Sequence, residues 1–152
     1  MNGLSGTTWS SEDRMPYQGI GATLITSTSP EQELPQWWPA ALSRILFLLE
    51  LPENWDSYDA KKINQQIAYH AAQILLEITR PGIPEPSIVP TVRGNLQFEW
   101  HTRGIDLEFE VKSSVLISVS FEDTVTGNEW EKDLDYNLIP LKDVIRQLVS
   151  RD

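Results

Sequence analysis

Two alternating stretches on either side of Arg103-Gly104 constrain the fold of this chain more than any other feature. Residues 96–102 read LQFEWHT and residues 105–111 read IDLEFEV. Such alternation of apolar and polar side chains is typical of strands with one buried face, and a Gly at the connection suits a tight hairpin turn. In this hairpin the apolar side chains share one face and oppose one another in pairs: Leu96 and Val111, Phe98 and Phe109, Trp100 and Leu107.

The same hairpin collects polar side chains on its other face, where they also form cross-strand pairs: Gln97 and Glu110, Glu99 and Glu108, His101 and Asp106. The Glu99–Glu108 pair sets two like charges directly opposite each other, which destabilises a ladder by up to about 1 kcal/mol. The pattern therefore predicts a compensating partner for these carboxylates, a proton on one of them, or a functional use of their charge.

The charge balance of the whole chain has the same sign as this face. Twelve Lys and Arg against 22 Asp and Glu give a formal net charge of −10 and a pI near 4.6. A protein this acidic is a poor binder of phosphate backbones, so we expect no direct binding of nucleic acid and favour a basic protein partner. The absence of Cys excludes disulfides, thiol nucleophiles and zinc sites with Cys ligands.

The length of 152 residues suits one domain, which we place at residues 39–152 behind a flexible or extended arm at residues 1–38. The arm is rich in Gly, Ser and Thr, and its residues 22–26, ATLIT, are a candidate strand that could add to a sheet edge. The N-terminus lacks the pattern of a signal peptide, and the longest aliphatic or aromatic run is too short to span a bilayer. We therefore expect a cytoplasmic protein without membrane contact.

The remaining periodicities predict three helices and three further strands. The helices are expected at residues 40–51, at residues 65–79 behind an N-cap at Asn64, and around residues 141–148 behind Pro140. The further strands are expected at residues 87–91, 115–121 and 129–134. Together these elements predict an α+β fold: an antiparallel four- to five-stranded meander with two N-terminal helices and one C-terminal helix packed on one face.

The strand after the central hairpin is expected to follow a three-residue link at residues 112–114. This link places Val111 opposite Val115 and keeps every large apolar residue on one face. If Trp130 in the next strand also points to the core, its neighbours extend the polar face: Glu129, Glu131 and Asp133.

The polar face of the sheet is the main candidate site: Glu99, His101, Asp106, Glu108 and Glu110. A solvated surface of this kind is common in antiparallel sheets and is the simplest interpretation. Clustered carboxylates on a rigid sheet also suit the docking of a basic protein. A divalent metal or an acid–base pair around Glu99, His101 and Glu108 is a third interpretation, although no ligand spacing specifies a metal and no cofactor is predicted.

The connection between the first two helices is a second candidate site, with Trp55, Asp56 and Tyr58 as its binding residues. In this corner, residues 54–58, two aromatic rings beside an acid and an amide could stack on a planar ligand and hydrogen-bond to it. The alternative is a purely structural corner, in which the rings fill a gap and Asn54 or Asp56 bonds nearby backbone. Known catalytic motifs, including G-x-S-x-G, the Walker loop and HExxH, do not occur, which makes an enzyme the less favoured class.

Four segments together resemble a group of small uncharacterised bacterial proteins. They read NWDSYDAK at residues 54–61, VPT at 89–91, LQFEWH at 96–101 and GIDLEFE at 104–110, and the match also includes the turn residue Gly94. Asp59 stands where the group commonly has Gly, and Lys62 stands where it commonly has Pro. The resemblance implies no assigned reaction. It does imply that the corner and the hairpin belong to one design and meet in space.

These features favour a non-enzymatic interaction protein of a bacterial or mobile-element system, antitoxin-like or inhibitor-like, that engages a basic protein surface. The alternative is a small metal-dependent enzyme or ligand-binding protein that uses the carboxylate face of the sheet. The sequence leaves the oligomeric state open.

Overall fold

The computed structural model describes residues 33–135 and 137–151. Most of the predicted arm, including the candidate strand at residues 22–26, lies outside the described residues. The described elements are, in chain order, helices α1 (Trp38–Leu49) and α2 (Gln65–Ile78), strands β1 (Ser87–Pro90), β2 (Leu96–Thr102), β3 (Ile105–Val111), β4 (Leu116–Asp123) and β5 (Glu129–Asp135), and helix α3 (Ile139–Ser150). In this part of the chain the longest helix has 14 residues, and none combines the length and the hydropathy of a membrane span.

The five strands form one antiparallel sheet in the order β1-β2-β3-β4-β5. This meander, with two helices before it and one after it, confirms the predicted α+β fold. The register of β2 with β3 is also as predicted, since Glu99 pairs with Glu108. The apolar side chains of this hairpin are all buried at the centre of the core: Leu96, Phe98, Trp100, Leu107, Phe109 and Val111.

The predicted pairing of β3 with β4 is wrong by two residues. Val111 pairs with Ile117 rather than Val115, so five residues instead of three lie between the paired positions. The backbone amide of Lys112 donates to the carbonyl oxygen of Leu116 over 3.0 Å and closes this longer turn. A shift of two residues preserves which side chains face the core, so the alternating pattern does not distinguish the two registers.

The three helices pack on the apolar face of the sheet. Pro39 suits the first turn of α1, which begins at Trp38, because proline has no amide hydrogen to leave unpaired there. α2 begins behind the predicted N-cap, where the Asn64 side chain accepts a hydrogen bond from the Ile67 amide over 3.0 Å. The helices contribute buried apolar side chains to the same core: Trp38, Ile45 and Leu48 from α1, Ala71, Ala72 and Leu75 from α2, and Leu141, Val144, Ile145 and Leu148 from α3.

The C-terminal end of α3 is tied to the ends of β2 and β4. The Arg151 guanidinium donates two hydrogen bonds to the Asp123 carboxylate, over 3.0 and 2.5 Å, and this carboxylate is buried. Arg103, in the turn after β2, donates to the Leu148 carbonyl oxygen over 3.0 Å. The guanidinium of Arg151 holds the pKa of Asp123 well below its usual range, because it stabilises the charged form of the carboxylate.

Candidate functional site

Among the described residues, the helices leave one face of the sheet uncovered, and we call it the outer face. We define it by twelve outward-pointing positions of β2 to β5, which form the three rows that cross all four strands: Gln97, Glu110, Ser118 and Asp133; Glu99, Glu108, Ser120 and Glu131; His101, Asp106, Glu122 and Glu129. Eight of these twelve side chains are carboxylates and none is Lys or Arg. The predicted extension onto β5 is confirmed, because Trp130 packs against Phe121 on the apolar side.

Five polar side chains on β2 and β3 are in mutual contact, and we call them the His101 cluster: Gln97, Glu99, His101, Asp106 and Glu108. The imidazole Nε2 of His101 lies 3.5 Å from a Glu99 oxygen and 3.7 Å from a Glu108 oxygen. On the other side, the Gln97 amide donates to Glu99 over 2.7 Å and to Glu108 over 3.4 Å. The two opposed carboxylates are therefore bridged from both sides, which offsets part of the repulsion within this like-charge pair.

Asp106 determines how the His101 ring is oriented. Its carboxylate oxygen lies 2.8 Å from Nδ1, and an ionised carboxylate only accepts hydrogen bonds, so Nδ1 carries a proton. Nε2 is then the nitrogen that faces Glu99 and Glu108. The pKa of His101 is raised, chiefly by the hydrogen bond to Asp106, with desolvation opposing this effect and the charges of Asp106 and Glu99 adding to it.

The His101 cluster can hold either a proton or a metal cation between its carboxylates. With both nitrogens protonated, the imidazole places a positive charge within reach of Glu99, Asp106 and Glu108. With Nε2 unprotonated, one ligand atom from each of Glu99, His101 and Glu108 lies within 4.8 Å of the others, as the ligands of one divalent cation would. A carboxylate on the second ring nitrogen, as Asp106 provides here, is the usual support of a metal-bound imidazole.

Glu110, the remaining carboxylate predicted on this hairpin, has partners of its own. Its side chain is only 11% exposed and accepts hydrogen bonds from Asn95 over 2.8 Å and from Arg93 over 3.3 Å. These two residues flank Gly94 in the turn between β1 and β2, so Glu110 ties that turn to β3. Since Arg93 neutralises its charge, Glu110 adds little to the field of the outer face.

The corner at residues 54–58 is held together by its own hydrogen bonds. The Asp56 carboxylate accepts from two backbone amides that follow it, over 2.8 and 3.0 Å. The Trp55 ring nitrogen donates to a backbone carbonyl six residues later, over 3.1 Å. These contacts fit the structural interpretation of Asp56 and Trp55. The Tyr58 ring differs, because it is 87% exposed and fills no gap.

The backbone of residues 54–59 contains three non-glycine residues with positive φ: Asn54, Ser57 and Asp59. Asp59, at φ 74°, adopts the conformation that favours the Gly of the resembling proteins, and its amide donates to the Asn54 side chain. Lys62, in place of their Pro, donates its amide to the Glu53 carboxylate over 2.7 Å, a bond that proline does not make. Local polar contacts thus accompany both departures from the pattern.

The corner and the His101 cluster lie at different places in the fold. The chain after the corner pairs with the turn between β1 and β2 through Lys61 and Asn64, whose amides donate to carbonyl oxygens of that turn over 2.9 and 3.0 Å. This turn lies at the Glu110 end of the sheet, whereas His101 lies beside the turn between β2 and β3. Among the described residues, no hydrogen bond or ion pair joins the His101 cluster to the three predicted corner residues: Trp55, Asp56 and Tyr58.

Two side chains of the outer face, Gln97 and Glu122, have no role predicted from the sequence. The position of Gln97 two residues before Glu99, on the same face of one strand, is the signal that could have identified its bridging role. Glu122 was missed because the predicted strand ended at Phe121, whereas β4 continues to Asp123. Glu122 faces Asp106 on β3 and Glu129 on β5, so it forms two further like-charge pairs across the ladders.

Comparison with protein-family models, with curated proteins and with solved structures gives no match for this chain. The outer face and the His101 cluster are therefore the features from which its function is inferred.

Proposed function

We propose that this protein is a non-enzymatic binding protein whose outer face engages a basic surface of a partner protein. The observation that supports the proposal is the composition of that face, whose twelve positions carry no Lys or Arg and hold seven carboxylates besides the Arg93-paired Glu110. Three like-charge pairs face each other there: Glu99 with Glu108, Asp106 with Glu122, and Glu122 with Glu129. Each pair destabilises the free protein slightly, and a cation-rich surface that covers the face removes this repulsion.

The sheet suits this role because it holds the carboxylates at regular spacings. Neighbouring strands lie about 4.8 Å apart, and successive outward residues on one strand lie about 6.6 Å apart. Arg and Lys side chains of a partner can therefore contact several carboxylates at once, and Arg can do so through paired hydrogen bonds. The net charge of −10 adds a long-range attraction that speeds the encounter at low salt.

The partner that fits this chemistry is a basic protein whose surface otherwise binds a polyanion such as nucleic acid. An acidic sheet would compete for that surface, as an antitoxin-like or inhibitor-like protein of a bacterial or mobile-element system would. The carboxylates of Glu110 and Asp56 take no part in the proposal, because their neighbours already engage them.

Binding of a lysine-rich probe to charge-reversed variants tests the proposal. The probe is an oligolysine peptide, and the amide chemical shifts of the protein report where it binds. One variant combines Glu122→Lys and Glu129→Lys on the outer face; the control combines Glu50→Lys and Glu85→Lys, two exposed positions away from that face. At about 50 mM salt, we expect the outer-face variant to bind the probe about tenfold more weakly than the control.

The two variants carry the same net charge, so the comparison separates a localised surface from general attraction. In the unsubstituted protein we expect the shifts to map to the outer face, and the affinity to fall steeply when the salt is raised to about 300 mM. Equal loss of affinity in both variants, or shifts that map to the helical side, would contradict the proposal.

The His101 cluster supports a second candidate function, the binding of a divalent cation by a metal-dependent enzyme or ligand-binding protein. The observation that favours it is the orientation of His101, whose Nε2 faces Glu99 and Glu108 while Asp106 holds Nδ1. One imidazole and two carboxylates suit Mn²⁺ or Zn²⁺ better than Mg²⁺, which prefers oxygen ligands alone.

Calorimetric titration with Mn²⁺, Zn²⁺ and Mg²⁺ tests this candidate. We expect one ion per chain, loss of binding in Glu99→Gln, and retention in Glu131→Gln, which removes the same charge elsewhere on the outer face. Since the metal displaces a proton from His101, its affinity should rise as the pH increases from about 6 to about 8. The absence of heat and of any shift in melting temperature with all three ions would contradict the cation site and leave the protein-binding proposal intact.

A further inference from the structure

The two edge strands of the sheet differ in the backbone groups that they present. At the β1 edge, the carbonyl oxygen of Ile88 accepts a hydrogen bond from the Arg44 side chain of α1 over 3.0 Å, and Pro90 has no amide hydrogen to offer. At the other edge, within residues 33–135 and 137–151, no strand pairs with the free side of β5. Within the part of the chain that the structure describes, the β1 edge is therefore closed and the β5 edge is open.

The hydrogen-bond pattern identifies which backbone groups of β5 are unpaired within the sheet. The Asp123 amide donates to the Asn128 carbonyl oxygen over 2.7 Å, so the odd-numbered residues of β4 direct their backbone groups toward β5. Their partners in the register are the even-numbered residues of β5. The amides and carbonyl oxygens that point away from the sheet consequently belong to the odd-numbered residues of β5, among them Glu129, Glu131 and Asp133.

The same three residues carry the carboxylates of β5 on the outer face. A strand that pairs with this edge would therefore find free backbone groups and acidic side chains at the same positions. On the opposite face of β5, the Trp130 ring is half-buried, and the Lys132 ammonium lies 4.6 Å from its centre. An added strand would meet carboxylates on one face and the margin of an aromatic ring on the other.

We propose that β5 binds an extended basic segment of the partner as a sixth strand, with alternate Lys or Arg side chains beside Glu129, Glu131 and Asp133. This inference rests on the proposed function and specifies the partner more closely: its binding segment alternates basic with apolar residues. Backbone hydrogen bonds set the register of the added strand, and the carboxylates select its charge.

Charge disfavours two other occupants of the β5 edge. A second copy of this chain, paired through its own β5, would set the acidic residues of one strand against those of the other. Residues 1–32 contain one basic residue, Arg14, against the three acidic residues Glu12, Asp13 and Glu31, so they offer no alternation of basic side chains.

A matched pair of substitutions in the full chain tests the inference. Glu131→Gln removes the charge, whereas Glu131→Pro removes the charge and the outward amide hydrogen, a change that an edge strand tolerates when that amide faces solvent. The probe is a seven-residue peptide that alternates Lys with Val, matched to the seven residues of β5, and its control has the same composition with all Lys in one block. We expect the alternating peptide to bind Glu131→Pro about tenfold more weakly than Glu131→Gln, and to bind the unsubstituted protein about fivefold more tightly than the block peptide does.

Hydrogen–deuterium exchange gives a second readout, because the amides of Glu129, Glu131 and Asp133 should exchange fast in the free protein and slowly with the alternating peptide. If Glu131→Pro does not fold, Asp133→Pro with Asp133→Asn provides the same comparison.

Equal binding of both peptides, without a difference between the Pro and Gln variants, would overturn the added strand and leave the electrostatic proposal standing. Slow exchange in the free protein would overturn it too, since a second copy or residues 1–32 would then occupy the edge. If neither peptide bound at about 50 mM salt, the proposed function itself would be contradicted.

Discussion

Carboxylates on the inner and outer faces of the same sheet differ in the charge of their partners. Asp123 points to the inner side, is buried, and accepts two hydrogen bonds from Arg151. Glu99 and Glu108 point outward, oppose each other, and share one imidazole and one amide between them. The inner carboxylate stabilises the fold because its partner is a full positive charge, whereas the outer carboxylates keep a negative surplus.

The chain thus has two kinds of carboxylate: those that stabilise the fold through a cationic partner, and those whose negative charge remains available to a binding partner. The face on which a carboxylate lies does not by itself decide whether it is paired. Glu110 lies on the outer face and yet is paired with Arg93 and Asn95. Loss of a paired carboxylate or its partner should reduce stability. Loss of a surplus carboxylate should reduce binding and leave the fold unharmed.

Arg151→Met should have the largest effect on stability, because it leaves the buried Asp123 carboxylate without its cation. We expect the melting temperature to fall by about 10 °C, with binding of oligolysine unchanged. The control is Arg146→Met on α3, whose partner Asp143 is exposed, and it should lower the melting temperature by no more than about 2 °C. Thermal unfolding followed by circular dichroism measures both, and equal losses would remove the contrast between buried and exposed pairs.

The effect of Arg151→Met should also depend on pH in one direction. Arg151 lowers the pKa of Asp123 in the folded state below its ordinary value of 3.8, so the pair stabilises the fold fully above that value. The stabilisation is lost as the pH falls from 3.8 through the lower pKa of the folded state. The difference in melting temperature between the two proteins should therefore shrink in acid. A difference that stays constant between about pH 7 and about pH 2 would contradict this linkage.

Glu110→Ala should have the second-largest effect, because the buried Asn95 amide and the Arg93 guanidinium both lose their acceptor. We expect the melting temperature to fall by about 5 °C. The matched control is Glu108→Ala, two residues away on the same strand and face, which should not lower the melting temperature. If both variants lost equal stability, Glu110 would belong with the surplus carboxylates.

Glu108→Gln should stabilise the protein, since it removes the repulsion with Glu99 across the ladder. We expect the free energy of unfolding in urea to rise by about 0.5 kcal/mol while the affinity for oligolysine falls. Glu131→Gln, opposite Ser120, relieves no like-charge pair and should change stability less. A loss of stability in Glu108→Gln would show that His101 and Gln97 bind the two carboxylates strongly enough to exceed their repulsion.

His101→Gln should have the smallest effect, confined to a range of pH. The pKa of His101 is raised in the folded state above its ordinary value of 6.5, so protonation of His101 stabilises the fold fully below 6.5. This stabilisation is lost as the pH rises through the higher pKa of the folded state. The unsubstituted protein should exceed His101→Gln by no more than about 1 °C in melting temperature at low pH and converge with it at high pH. Asp106→Asn removes the main cause of the raised pKa and should also flatten the dependence of melting temperature on pH. If neither variant changed this dependence, protonation of His101 would not be its cause.

The central hairpin was predictable in detail because the side-chain period of a strand is two residues. If β2 slipped by one residue against β3, Glu99 would turn toward the core and Phe98 toward solvent, so registers that differ by an odd number of residues are unstable. The Asn64 cap was predictable for a similar local reason, since its side chain bonds an amide three residues later. The His101 cluster follows from the same register, because its members are cross-strand or next-nearest neighbours on one face.

The pairing of β3 with β4 was not predictable from the same period. Registers that differ by two residues bury the same side chains, and the turn that selects between them depends on the bond from Lys112 to Leu116. The open edge at β5 was also beyond the sequence, because the number and order of strands in a sheet follow from long-range packing. The predicted corner residues Trp55, Asp56 and Tyr58 remain candidates by composition, although the bonds of Asp56 stay within the corner.

Alternation of apolar and polar residues along a strand is a local property, so the amino-acid sequence alone specifies that the sheet has an apolar and an acidic face. Which carboxylates are neutralised was decided only by the tertiary structure. Arg93 reaches Glu110 across 17 residues of chain, and Arg151 reaches Asp123 across 28. Such partners come into contact only after the strands and helices have packed, so no short repeating pattern in the sequence predicts which residues pair.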